Sequence, residues 1–258
     1  MEFSNEILRI VDRLRVSDSV LFITGAGLSA DSGLPTYRGV GGLYNVDETD
    51  EGLPIEELLS GEMLRSEPEV TWKYLAQIAR ACQGATFNRG HRLIAQFEYA
   101  LPRVWVLTQN VDGFHRAAGS TNVLDIHGDM HDLMCTDCSW GEWIDDFNEL
   151  SIPPECPECG GLVRPQVVLF GELLPFDKVD RLHAELSEGF DVIFAIGTTA
   201  LFPYISEPVF AASQSNTLTV EINPDLTELT DVVDVALPVS AAEALEAIWE
   251  QSGLERGR

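Results

Sequence analysis

A chain of 258 residues, 45% of them hydrophobic, can bury a full core, and its length suits one large domain with small insertions better than two independent large ones. The formal charge of -26, from 42 acidic against 16 basic residues, leaves no basic patch for nucleic acid or an anionic membrane surface, so neither is expected as a direct partner. The acidic excess has two readings. With Lys73 and Lys178 as the only lysines, it fits a host of high internal salt, where hydrated carboxylates keep proteins in solution; it would also draw in basic peptide tails.

The first eighteen residues, MEFSNEILRIVDRLRVSD, alternate apolar and charged positions at helical spacing and carry no apolar core with a small-residue cleavage site, so no export signal is expected. Ser19 to Thr24 is a short apolar run that breaks into Gly25-Ala26-Gly27, the pattern of a buried parallel strand ending in a tight turn. Helical patterns follow over Glu69 to Ala81 and His91 to Tyr99. Val104 to Leu107 then leads into Thr108-Gln109-Asn110. After a cysteine-containing segment come a helix over Asp177 to Glu188, a strand from Val192 into Gly197-Thr198-Thr199, a strand from Leu218 into Asn223-Pro224, and a helix over Ala241 to Glu250. The longest apolar run, Val192 to Phe202, is interrupted by Gly197, Thr198 and Thr199 and falls short of the roughly 18 residues of a membrane span, so it reads as a buried strand and turn.

This alternation predicts an α/β fold: a Rossmann-like parallel-sheet domain with an inserted zinc-ribbon module and a small helical insertion. The expected division gives residues 1–38, 85–128 and 164–258 to the Rossmann-like domain, 39–84 to a loop and helical insertion, and 129–163 to the metal module. The polar ends of all four strands should face one crevice, because ligands of open parallel sheets bind beyond the carboxyl ends of the strands.

Four of the five cysteines form two C-x-x-C pairs, Cys135/Cys138 and Cys156/Cys159, with seventeen residues between the pairs. That spacing is a zinc ribbon's, four thiolates at the corners of a tetrahedron, and it points to a reducing compartment, the cytoplasm. Four protein ligands leave no open position, so the metal is expected to be structural. His131, close by in sequence, is expected to be a loop residue and not a ligand.

Gly25-Ala-Gly27-Leu-Ser29-Ala-Asp31-Ser-Gly33 follows a strand and would let the backbone approach a pyrophosphate, but it is not G-x-G-x-x-G and matches a hydride-transfer dehydrogenase poorly. Leu34-Pro35-Thr36-Tyr37-Arg38-Gly39 continues it as a loop that closes over a ligand.

Taken with TQNVDGFHRAAG at 108–119, HG at 127–128, the cysteine pairs, RPQVVLFGE at 164–172, GTT at 197–199 and EIN at 221–223, these motifs resemble the sirtuins, NAD-dependent protein deacylases, in order along nearly the whole chain. The resemblance implies NAD as co-substrate, one structural zinc and acyl-lysine proteins or peptides as partners. Gly25, Ala26, Gly27, Ser29, Asp31, Tyr37 and Arg38 would line the loop side of the NAD site. Gln109, Asn110, Val111 and Asp112 would form its nicotinamide end. Gly197, Thr198 and Thr199 would face phosphates and adenosine, with Asn223 at the adenine ribose and Ala241 closing the adenine side.

The resemblance makes His127 the catalytic base, which removes a proton from a ribose hydroxyl after the acyl oxygen has attacked C1′ and nicotinamide has left; Asn110 takes ribose and water contacts. The products would be free lysine and O-acyl-ADP-ribose. His91, His115 and His183 are expected to be structural. Val168, Phe170, Gly171 and Glu172 would contact a substrate peptide added as an extra strand. Anchoring the inserted helix on Pro68 to Tyr74 places Leu75 and Ile78 where carboxylate-binding sirtuins have a Tyr-x-x-Arg pair, which favours acetyl or longer neutral acyl groups over succinyl or malonyl. Tyr37, Phe114 and Thr199 depart from the family's usual phenylalanine, leucine and serine. Competing readings are a mono-ADP-ribosyltransferase with the same NAD site and, from another class, an inactive zinc-ribbon binding module.

Overall fold

The computed structural model describes residues 3–36, 49–148 and 150–254. In chain order the elements are α1 (Ser4–Leu14), β1 (Ser19–Thr24), α2 (Ala26–Ala30), α3 (Ile55–Leu58), α4 (Gly61–Ser66), α5 (Pro68–Cys82), α6 (Arg89–Ala100), β2 (Arg103–Thr108), α7 (Phe114–Ala117), β3 (Val123–Asp125) and β4 (Gly128–Cys135). They continue with β5 (Gly141–Trp143), β6 (Val163–Val167), α8 (Phe176–Glu188), β7 (Val192–Ile196), α9 (Pro203–Ala212), β8 (Leu218–Ile222), β9 (Val235–Leu237) and α10 (Ala241–Ser252).

The main sheet has six strands in the order β3-β2-β1-β7-β8-β9, with parallel pairing throughout. This is a doubly wound arrangement: the chain runs outward from β1 through β2 to β3, then returns to the other side of β1 with β7. Between β1 and β7 the strand order reverses, and a crevice forms at such a point. The central strands bury both faces. Phe22, Val106, Phe194 and Val220 pack with α1, α6 and α10 on one side, while Leu21, Ile23, Leu107 and Ile193 pack with α8 and α9 on the other. Continuous apolar runs, in place of alternation, follow from this double burial.

Local chemistry starts and stops the helices that frame the site. Asn88 caps α6 by accepting from the Gly90 and His91 amides, and the His91 ring accepts from the Asn88 amide in return, a reciprocal capping box. Ser240 caps α10 through the Glu243 amide. Helix α9 is not marked by the sequence pattern. Its segment PYISEPVFAA carries Pro203 at the first turn and Pro208 inside, and buries Ile205, Ser206, Pro208, Val209 and Ala212, so its apolar pattern has no clear helical stripe.

A second lobe combines the two insertions. The antiparallel sheet β5-β4-β6 and the loops between its strands carry the cysteines, and Leu133, Cys135, Cys156, Val163 and Val167 of this module share one core with Leu58, Leu64, Trp72 and Leu75 of α3 to α5. Trp72 is fully buried there. Among the described residues, no helix is long and apolar enough to cross a membrane.

Candidate active site

A cavity of about 710 Å³ lies between the C-terminal ends of β1, β2, β7 and β8 and the second lobe. All four polar strand ends line it: Gly25, Ala26 and Gly27 after β1; Gln109, Asn110 and Val111 after β2; Gly197, Thr198 and Thr199 after β7; and Asn223 after β8. Asp31, His127 and Ala241 add to the wall. Val168, Phe170, Gly171 and Glu172 line the second-lobe side together with Leu75 and Ile78. Ser29 and Asp112 sit behind Asn110, on an adjoining recess of about 20 Å³ that Ala26, Ile78 and Cys82 also line. Tyr37 and Arg38 lie outside the described residues.

The glycines serve a packing purpose besides ligand approach. Gly27 donates its amide to the Gly197 carbonyl at 2.9 Å, and a β-carbon on Gly27 would stand 2.6 Å from Gly197 Cα. Gly197, with φ 58, would drive its own β-carbon to 2.5 Å from the Leu28 amide nitrogen. No side chain fits where the turns after β1 and β7 cross.

Behind them is a polar network. Asn110 donates from Nδ2 to the Gly25 carbonyl at 3.0 Å and to Ser29 Oγ at 3.1 Å, and Ser29 in turn donates to Asp112 Oδ2 at 2.6 Å. The other Asp112 oxygen accepts from the Phe114 amide at 3.0 Å. Burial pushes the Asp112 carboxyl up from its ordinary range, opposed by the Ser29 and Phe114 donors. Asn110 Oδ1 is buried without a protein partner. An orphaned amide oxygen beside a cavity of ligand size is the signature of a site completed by something bound, and it fits a ligand that brings hydroxyl or amide donors.

His127 follows β3. Its Nδ1 is 3.0 Å from the Gln109 carbonyl oxygen, which can only accept, so Nδ1 carries the proton and Nε2 is the bare nitrogen. Nε2 accepts from the Tyr204 hydroxyl at 2.6 Å. Burial lowers the His127 pKa, against the Gln109 hydrogen bond and with the help of the Lys178 charge. Burial thus favours the neutral ring, whose Nε2 lone pair is taken by the Tyr204 hydroxyl, itself part of the cavity wall. Gln109 ties the two sides together, because its amide also donates to Thr198 Oγ1 at 2.7 Å, and Asn223 donates to the Thr198 carbonyl at 3.0 Å. Asp31 accepts from the Ala242 amide at 3.0 Å, which joins the glycine loop to the start of α10 next to Ala241.

The segment expected to pair with an added peptide strand is itself a loop, since β6 ends at Val167. Val168 donates to the His127 carbonyl at 2.8 Å, Phe170 donates to Leu59, and Gly61 donates to Phe170. Glu172 takes both Arg164 guanidinium donors, at 2.6 and 2.9 Å, and the Leu169 amide at 2.9 Å. Its carboxylate braces the loop. On α5, Leu75 and Ile78 face the cavity, whereas the Tyr74 hydroxyl bonds to Glu51 and Lys73 pairs with Asp50 and Glu51.

The Sγ atoms of Cys135, Cys138, Cys156 and Cys159 all lie within 4.8 Å of one another, with Cys135 to Cys159 at 3.5 Å and Cys138 to Cys156 at 3.6 Å. Four sulfurs about 2.3 Å from one tetrahedral zinc stand roughly 3.8 Å apart, so the donor set fits one structural zinc. The Asp137 and Gly161 amides donate to Cys135 and Cys159. His131 is not a member. Its Nδ1 sits 2.8 Å from Asp129, and its ring stacks on Trp143. His91 and His115 are fully buried in the Rossmann-like body, their rings 5.0 Å apart.

Several cavity residues escaped sequence reasoning, and Tyr204 and Phe202 are the two that reach His127. Their one signal was an aromatic-Pro-aromatic run directly beyond the Gly197 turn.

The Sir2 family profile matches residues 25–202. The chain is 47% identical over 251 residues to NAD-dependent protein deacylase 2 of Pseudomonas aeruginosa, covering 96% of this chain and 98% of that one. It is 49% identical over 242 residues to NAD-dependent protein deacylase 2 of Pseudomonas syringae pv. tomato, covering 93% and 97%. Among solved structures, a Sir2 homologue in complex with NAD superposes with a TM-score of 0.84 at 34% identity, covering 95% of this chain and 93% of that one. A mutant Sir2 with a deacetylated p53 peptide and 3′-O-acetyl-ADP-ribose superposes with a TM-score of 0.86 at 26% identity, covering 96% and 99%.

Proposed function

This chain belongs to the Sir2 family and is an NAD-dependent protein deacylase, and we propose that His127 and Asn110 run its chemistry on a neutral acyl-lysine. NAD, consumed as co-substrate, supplies an electrophilic ribose C1′ with nicotinamide as its leaving group. His127 takes the proton of a ribose hydroxyl; the supporting observation is an Nδ1 committed to the Gln109 carbonyl, which leaves Nε2 unprotonated and in contact with the Tyr204 hydroxyl at the cavity wall. Asn110 accepts a ribose or water hydrogen at Oδ1, the buried atom without a protein partner. Asp112, held by Ser29 and Phe114, accepts from the nicotinamide carboxamide at the adjoining recess.

Gly25, Ala26, Gly27, Asp31 and Val111 line the NAD path, with Gly197, Thr198 and Thr199 toward the phosphates, Asn223 at the adenine ribose and Ala241 at the adenine. Val168, Phe170 and Gly171 flank the substrate lysine, and Glu172 braces that loop through Arg164. Leu75 and Ile78 give the acyl end of the cavity an apolar wall that offers nothing to a carboxylate. Thiols gathered in one metal site favour the cytoplasm.

The test is the variant H127A given NAD and an acetyl-lysine peptide. The expected result is loss of free lysine and O-acetyl-ADP-ribose with NAD binding and fold retained. Turnover equal to wild type would remove His127 from the reaction. Transfer of ADP-ribose to the peptide by the wild type, in place of deacylation, would favour the ribosyltransferase reading.

A further inference from the structure

The acceptor nitrogen of His127 already holds a hydroxyl. Tyr204 Oη stands 2.6 Å from Nε2 and must be the donor, because the one imidazole proton is committed to the Gln109 carbonyl. Tyr204 lines the same cavity as His127 and Asn110. It is firmly placed. Its ring stacks on Phe202 at 5.4 Å and 13°, and both rings present edges to His127 at 5.9 Å. It lies in the first turn of α9 after Pro203, where the Ile205 and Ser206 amides both donate to the Phe202 carbonyl. The residue stands two positions beyond the stretch matched by the family profile, so nothing in that match assigns it a role.

On the reading of His127 as general base, we propose that Tyr204 is a second proton carrier, standing between the ribose hydroxyl and His127. A phenol donates one hydrogen bond and accepts another, so a hydroxyl arriving from the cavity meets Oη with a lone pair available. The ribose O–H bond breaks as its proton bonds to Oη; the Oη–H bond breaks as its proton bonds to Nε2. Tyr204 ends as it began, His127 ends as imidazolium, and the ribose oxygen keeps the electron pair with which it attacks. Burial pushes the Tyr204 phenol up to about 12, so a free tyrosinate is disfavoured and the two transfers run together.

Five measurements test this, the first two needing no turnover. In NAD-free protein labelled with ¹⁵N-histidine, Y204F should move the His127 Nε2 signal toward that of an unbonded imine nitrogen, and calorimetry should give NAD affinity within about twofold of wild type. Nicotinamide exchange into NAD with an acetyl-lysine peptide precedes the base step and should survive in Y204F, while single-turnover deacylation falls by about tenfold to a hundredfold. In wild type, single-turnover deacylation in mixed H₂O and D₂O should give a curved plot against deuterium fraction, two protons in flight. That experiment needs no variant, and a straight line in wild type overturns the relay even if Y204F folds poorly. Y204F deacylating as fast as wild type, or an unmoved Nε2 signal, also overturns it. H127A run alongside separates the two claims: deacylation by H127A removes the base assignment itself, whereas a dead H127A with an active Y204F removes only Tyr204.

Discussion

The Trp72 indole N–H donates to the Val163 carbonyl at 2.9 Å, joining α5 to β6 across 91 residues of sequence. Trp72 is fully buried, and β6 runs from the cysteine module to the loop that lines the cavity. Helical insertion and metal module therefore stand or fall together.

W72F keeps most of the packing and loses the hydrogen bond, leaving a buried carbonyl unsatisfied at a cost of about 1–3 kcal/mol. W72A adds a cavity and should cost roughly 3–5 kcal/mol. Urea unfolding measures both. Stripping the zinc with a chelator should lower the melting temperature and abolish turnover together, because His127 and Val168 flank the two ends of the same lobe. A zinc-free protein with unchanged melting and turnover would contradict this linkage.

Two buried histidines tie stability to pH. Burial lowers His91 to about 4 and His115 well below its ordinary value. Between about pH 6.5 and 4 the unfolded chain binds protons there that the folded chain does not, so their contribution is complete above about 6.5 and is lost as pH falls. For His91 alone the loss amounts to roughly 3 kcal/mol. His91 also completes the α6 capping box, a role glutamine fills at the same position. H91Q should retain the helix and lose stability less steeply on acidification, as read from urea midpoints across that range; an unchanged slope would place the proton uptake elsewhere.

How far the site was legible follows from the same contacts. Apolar runs that break into glycine, amide or hydroxyl residues mark strand ends, and Gly25, Gln109, Gly197 and Asn223 do meet at one cavity. The cysteine spacing brought four sulfurs together. What stayed hidden depends on tertiary packing: α9 has no apolar stripe and two prolines, so Tyr204 carried no sign of its place against His127. Glu172, read as a peptide contact, is committed to Arg164, a partner no short motif shows.

The proposed preference for a neutral acyl group is tested on α5. With Leu75 and Ile78 in the cavity wall and the buried Tyr74 absent from it, its hydroxyl bonded to Glu51, a succinyl carboxylate would be buried without a partner, so acetyl-lysine peptides should exceed succinyl-lysine peptides in kcat/KM by about tenfold or more. The double variant L75Y/I78R should narrow that ratio. Wild type favouring succinyl would overturn the assignment.

The net charge of -26 should make stability salt-dependent. Screening of carboxylate repulsion raises the urea midpoint from low salt to molar potassium chloride if the surface is built for a saline interior. A fully stable protein without added salt would leave the acidic face to attraction of basic peptide segments, to be checked by comparing KM for peptides of differing charge.

The most direct measurement follows nicotinamide release from NAD by the zinc-loaded protein, with and without an acetyl-lysine peptide. Release that requires the peptide, matched by free lysine and O-acetyl-ADP-ribose, is the expected result. No release with the peptide present, or release that ignores it, would contradict a deacylase working from this cavity.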